Sequence, residues 1–162
     1  MSPVVAEGRR IPVPGKSGLS IWLPSDWELV EGQIFELLAL GPVEETYRAN
    51  LSIIHLNVDA ALTLDQIADA AARIQARTLE TFVEYDRRPV DVADLFGLQR
   101  EYGWVQSETG LVLYQLELLA LDVQPELPRL LEVHATSSAP AYFRYAAVLR
   151  RMLESIQRQL VA

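Results

Sequence analysis

Between residues 18 and 27 the chain reads Gly18-Leu19-Ser20-Ile21-Trp22-Leu23-Pro24-Ser25-Asp26-Trp27. Leu19, Ile21 and Leu23 recur at every second position, the period of a strand with one buried face. Pro24 has no N–H to give to a sheet ladder and stops the strand, and Ser25-Asp26-Trp27 continues as a turn. Upstream, residues 1–17 hold Pro3, Pro12 and Pro14 and close on Gly15-Lys16-Ser17. They read as a flexible N-terminal tail, with room for one short strand around Arg10–Val13. Residues 18–160 read as a single domain.

Downstream the apolar runs stay short and strand-like. Gln33 to Leu40, closed by Gly41-Pro42, is the second, and Asn50 to Val58 the third. The third changes phase between Ile53 and Ile54, which asks for cover on both faces or for a bulge. Thr63-Leu64-Asp65-Gln66 then matches a capping box, in which the hydroxyl and the amide three residues on satisfy each other's backbone N–H groups. Leu64, Ile67, Ala68, Ala71, Ile74 and Thr78 follow at helical spacing, so a helix is expected over 64–79.

Phe82 to Val92 reads as a strand in which Pro89 suits an edge or a bulge. Leu98 to Ser107 and Leu111 to Leu121 read as a hairpin turned at Glu108-Thr109-Gly110, since glycine accepts the positive φ of such turns. The return strand is apolar on both sides, as a central strand must be. Arg129 to Thr136 is the last strand. Ser138-Ala139-Pro140 opens a terminal helix, with Phe143, Ala146, Leu149, Leu153, Ile156 and Leu160 as its expected buried stripe. Strands, helix, more strands and helix, with no βαβ rhythm and no repeat, define an α+β fold.

Composition narrows the function. The chain has 162 residues and 50% apolar residues, with 22% charged and a mean hydropathy of +0.11. It is too apolar for a disordered segment and rich enough to leave apolar surface for a partner or a dimer contact. Its net charge of −8 opposes general nucleic-acid binding, which needs a basic stripe to displace counterions. The pairs Arg9–Arg10, Arg87–Arg88 and Arg150–Arg151 are isolated and read as solvated charge. The lack of cysteine removes disulfides, thiolate metal sites and cysteine nucleophiles. With no signal-like apolar core between Met1 and Pro14 and no run long enough to span a bilayer, a cytoplasmic location without a membrane span is expected.

No reactive motif stands out. Gly15-Lys16-Ser17 ends like a phosphate loop, but Arg10 occupies the position of the required glycine. No nucleophile elbow, zinc-helix or dinucleotide fingerprint is present. His55 and His134 each sit among apolar residues on expected strands, where core packing explains them better than metal binding. Asp26, Glu28, Glu31, Glu36, Glu44 and Glu45 read as surface acids and lack a calcium-loop pattern. Trp22, Trp27 and Trp104 are mainly core candidates. Trp104 with Tyr102 and Tyr114 is the one set that also reads as an aromatic platform, on which a peptide or helix could dock. These three are the candidate binding residues. No catalytic residue, metal ligand or cofactor site is expected.

The order of elements resembles the Mog1/PsbP-like superfamily, which includes DUF1795-type and LpqN-like proteins. Residues 18–27 are similar to its opening F-x-L-x-L-P-x-x-W, and Tyr47-Arg-Ala-Asn-Leu-Ser-Ile-Ile54 to the strand that follows. Thr63–Thr78 resembles its first helix, and Asp94-Leu-Phe-Gly97 through Trp104 its G-G-x-x-G-x-x-x-x-Y hairpin entry. The helix ending near Ile156 resembles its last, so the resemblance covers about 18–158. It implies an antiparallel sheet flanked by helices on both sides and a mostly non-catalytic binding or accessory role. Within the superfamily that role ranges from GTPase binding and photosystem assembly to cytoplasmic, dimeric chaperones of secreted effectors. The lipoprotein cysteine of the LpqN-like group is missing here. The leading expectation is therefore a chaperone- or adaptor-like module that docks an apolar segment of a protein partner, with a homodimer as a possible assembly. A small-molecule or enzymatic pocket between sheet and helix, built on His55 or His134, and a self-associating structural subunit are the alternatives.

Overall fold

The computed structural model describes residues 7–15, 17–31, 34–123 and 128–159. Residues 1–6, Lys16, Gln33, residues 124–127 and Leu160, to which expectations attach above, lie outside this set. Seven strands form one antiparallel sheet, in the order β3 (Glu28–Leu29), β4 (Leu37–Leu40), β5 (Asn50–Asn57), β9 (Pro128–Ser138), β8 (Leu111–Val123), β7 (Leu95–Gln106), β6 (Glu80–Val92). A smaller sheet joins β1 (Gly8–Pro12), β2 (Leu19–Pro24) and β10 (Gln157–Arg158). The helices are α1 (Leu64–Thr78) and α2 (Ala139–Glu154).

The alternation expected over 18–24 is observed. Leu19, Ile21 and Leu23 are buried against α2 and the large sheet, while Pro24 ends the strand. Two short strands flank β2. Gly8–Pro12, which overlaps the short strand expected around Arg10–Val13 in the tail, pairs with it from Gly8↔Pro24 to Pro12↔Ser20, and Gln157–Arg158 pairs on its other side. The latter escaped the sequence reading, being too short and polar to show a period. Gly8 is required where it stands: Trp22 crosses so close that a Cβ would lie 2.3 Å from the indole. The phase change in β5 produces no bulge, since its register with β9 is unbroken. Ile53 is buried on one side and Ile54 half-buried on the other.

The helices cover opposite faces of the large sheet. On one, α1 packs Leu64 and Ala68 against Leu98, Leu119 and Leu130, and its capping box is complete. On the other, α2 buries Ala141, Tyr145, Leu149, Met152 and Leu153 against β8, β9 and β2. Leu149, Leu153 and Ile156 of the expected stripe are buried, but at the start of the helix Phe143 is 92% exposed and Tyr145 takes the core position instead. β6 is an edge strand, with register shifts between Glu80 and Val83 and between Glu84 and Asp86, and Pro89 lies on it as expected.

Candidate functional site

The β6–β7–β8 end of the α2 face carries an aromatic pocket. Its floor begins with a missing side chain. Gly103 of β7 pairs with Tyr114 of β8, and a Cβ on residue 103 would lie 3.1 Å from the Tyr114 ring. The bare glycine lets Tyr114 lie across the strand, a cross-strand cover that compensates a glycine in a sheet. The bulge between Glu84 and Asp86 sets Tyr85 against this ring, with centroids 5.5 Å apart. Bulges re-aim a side chain in this manner beside binding sites. From above, the first turn of α2 brings Tyr142 to 5.0 Å from Tyr114, and Phe143 follows at 6.3 Å from Tyr142.

These rings border about 420 Å³, with Glu101, Tyr102 and Gln115 among the lining residues. Val83 and Val112, both exposed, belong to the same side of the sheet and extend the apolar rim. Polar groups are few and placed. Arg150 reaches Glu101 Oε1 at 3.2 Å and donates to the Tyr142 hydroxyl at 3.2 Å. Burial, then the Glu101 charge, raises the Tyr142 pKa above the usual phenol value. The neighbouring Tyr114 hydroxyl, then burial, raises that of Tyr85. Tyr85 and Tyr142 therefore stay neutral at physiological pH. Ser138 makes no side-chain cap at the start of α2.

Directly behind the pocket, on the α1 face, lies a buried charged cluster. Arg100 is 0% exposed and binds Glu117 Oε1 at 2.8 Å, Glu84 Oε1 at 3.3 Å and Gln75 Oε1 of α1 at 2.9 Å. Tyr102 donates to Glu117 Oε2 at 2.8 Å and accepts from Gln115 Nε2, which in turn shares its amide with Thr136. Burial, reinforced by Glu117, pushes the Tyr102 pKa far up. Burial works against the Arg100 charge, but Glu117 and Glu84 outweigh it. His134 Nε2 is buried without a hydrogen bond, 3.5 Å from Glu117 and 3.8 Å from Glu132. The Arg100–Glu117–Tyr102 part of this cluster is buried and paired, and such a network holds structure together.

The expected platform is thus divided. Tyr102 is 1% exposed and, with Trp104 at 5.9 Å, belongs to the α1 face. Tyr114 points to the other side, into the pocket. The cause is the hairpin loop. A three-residue turn at 108–110 would pair Ser107 with Leu111 and set Trp104 opposite Tyr114. The observed register pairs Gln106 with Leu111 and Trp104 with Leu113, and one residue of loop reverses the side on which every partner falls. The two histidines are also separated. β5 and β9 are neighbours, but the register Ser52↔His134 and His55↔Leu131 puts the rings on opposite faces. His55 meets Glu36 at 2.7 Å. Of the acids singled out, Glu28 pairs with Arg48 at 3.0 Å, and Glu44 with Arg144 at 3.3 Å. Among the described residues no group of three histidine or acidic side chains could hold a metal ion. Tyr85, Tyr142 and Phe143 were missed; a bulge and a helix phase place them, and neither follows from local periodicity.

An antiparallel sheet with one helix on each face, in this element order, is the Mog1/PsbP-like fold. LpqN of Mycobacterium tuberculosis, described as involved in cell envelope biogenesis, superposes with a TM-score of 0.72 at 12% identity, over 93% of this chain and 90% of its own. The Ran-binding protein Mog1p of Saccharomyces cerevisiae gives 0.63 at 6% identity, over 96% and 97%. The cyanobacterial PsbP of Synechocystis gives 0.61 at 14% identity, over 98% and 96%. No family model and no curated protein matches the sequence. Among the described residues no helix is long and apolar enough to cross a membrane.

Proposed function

We propose that this chain is a non-enzymatic binding module, adaptor- or chaperone-like, whose docking site for a protein partner is the aromatic pocket between the β6–β8 edge and the start of α2. The single observation that carries the reading is Phe143, a large apolar side chain left 92% exposed at the mouth of a tyrosine-lined cavity. Aromatic side chains supply large contact area at small entropic cost and dominate interface energetics. Tyr114 and Tyr102 both line the cavity, Tyr102 with its ring turned to the α1 face beside Trp104. Neither His55 nor His134 lines this pocket, which weakens the enzymatic alternative. The Ran-binding description of Mog1p supports a protein as partner. The acidity and the lack of cysteine support a cytoplasmic setting.

Selection from a random peptide library tests this reading. Peptides enriched on the wild-type chain should lose binding to Phe143→Ser and to Tyr114→Ala. Enriched peptides that bind both variants as well as wild type would remove the pocket from the function. A second copy of the chain is the competing occupant, and sedimentation that shows dimers dissociated by Phe143→Ser would favour it.

A further inference from the structure

A second cleft opens where the last turn of α2 crosses the β6–β7 pair. It holds about 280 Å³ and shares no lining residue with the aromatic pocket. Its walls are the apolar side chains of Val90, Leu118 and Leu153, the last two each 2% exposed. Arg88 and Gln99 line it as direct cross-strand partners, so their side chains stand side by side.

Both of these polar side chains are idle. Gln99 is 6% exposed and its Nε2 is buried without a partner. Among the described residues its side chain makes no hydrogen bond. A buried amide left unbonded is destabilising, and in a native chain it marks a place that something else completes. Arg87 binds Glu84 and Asp69, whereas Arg88, among the described residues, forms no ion pair.

A guanidinium with unused N–H groups clamps a carboxylate through two parallel hydrogen bonds. The amide beside it offers donors and an acceptor, exchanged by a half-turn of its last bond. A simple anion is opposed, however, because Asp91 and Glu154 stand on the same cleft. Neither forms an ion pair among the described residues. Glu154 lies in the field of Arg150, but that guanidinium is held by Glu101. Two carboxylates without a cation of their own ask for an ammonium. A zwitterion meets both demands, and the apolar walls ask for an aliphatic body. The volume is at the small end of ligand cavities and suits a single metabolite.

We infer that this cleft takes a free α-amino acid with a branched aliphatic side chain, its carboxylate on Arg88, its ammonium toward Asp91 and Glu154, and Gln99 bonded to its polar end. NMR titration of the full chain with L-leucine, L-isoleucine and L-valine tests this. At least one should shift the backbone signals of Val90, Gln99 and Leu118. The matching acid without the ammonium, and the matching amide without the carboxylate, should each bind about tenfold or more weakly. Arg88→Gln, at an exposed edge position, should weaken the amino acid by a similar factor. Gln99→Met keeps the length and removes the unbonded amide. It should raise the urea midpoint of the unliganded chain while weakening binding. No shift with any of the three amino acids at millimolar concentration overturns the inference. Binding that the acid without its ammonium matches, or that Arg88→Gln leaves unchanged, overturns it as well. A lowered urea midpoint in Gln99→Met also does so, because the amide would then be satisfied by water within the fold. None of these results bears on the aromatic pocket, whose reading stands or falls by its own peptides.

Discussion

Tyr114 lies across Gly103 so closely that a methyl group on residue 103 would stand 3.1 Å from the ring and 3.0 Å from the Leu113 carbonyl oxygen. The ring can swing aside, but the backbone oxygen cannot. Gly103→Ala should therefore destabilise the chain by about 1–3 kcal/mol, the usual range for overpacking, and move Tyr114 out of the pocket. Urea unfolding together with the ring signals of Tyr114 checks both parts. An unshifted ring with native stability would mean the glycine does not shape the site.

The Arg100–Glu117 pair behaves differently from a surface ion pair because both partners are buried. Arg100→Met leaves the Glu117 carboxylate without its guanidinium and should cost about 3–5 kcal/mol. The triple change Arg100→Met, Glu117→Leu and Tyr102→Phe removes the three main polar groups together and should recover most of that loss. Denaturant midpoints of the single and triple variants decide it. A triple variant as weak as the single one would show that packing, rather than uncompensated charge, sets the cost.

Two carboxylates should shift stability with pH in opposite directions. Burial raises the pKa of Glu84, but hydrogen bonds from Arg87 and Arg100 overcome this and hold it below the usual carboxyl value. Its stabilisation is present above the ordinary carboxyl value and is lost as pH falls through the lower folded one. Glu132 is raised by burial, opposed by His134 and assisted by Glu117. Its contribution is present below the ordinary value and lost as pH rises through the higher folded one. Glu132→Gln should accordingly stabilise the chain at neutral pH and change little in acid, while Glu84→Gln should destabilise it at neutral pH. Thermal unfolding across the acid range reads both signs.

The first helix depends on its cap more than the second does. α1 buries only Leu64 and Ala68, whereas α2 buries five side chains and has no side-chain cap. Thr63→Ala removes the acceptor for the Gln66 N–H and should cost about 1 kcal/mol. Hydrogen exchange should speed up through α1 and leave α2 unchanged. Equal acceleration in both would mean that the helices open together.

The strands were legible where the alternation was long. Leu19–Leu23 and the two-sided apolar run from Leu111 appear where their periods place them, and the capping box at Thr63 marks the helix start. What escaped was parity and phase. Whether Tyr102 shares a side with Tyr114 depends on one residue in the loop 107–110, and Phe143 competes for the core with the nearby Tyr145. Neither contest can be judged from spacing, because both are settled by partners distant in sequence. Of the three residues singled out, Tyr102 and Tyr114 line the aromatic pocket, while its other rings, Tyr85, Tyr142 and Phe143, were not seen.

The hidden arginine has a last effect, on assembly of the sheet. Arg100 meets Glu117 directly across the β7–β8 hairpin. Sliding these strands by two positions would keep every greasy side chain inward, yet it would face the guanidinium with Leu119 or Gln115 and strand the carboxylate opposite Leu98 or Tyr102. Hydrophobic pattern alone tolerates that mistake, and one charge pair vetoes it.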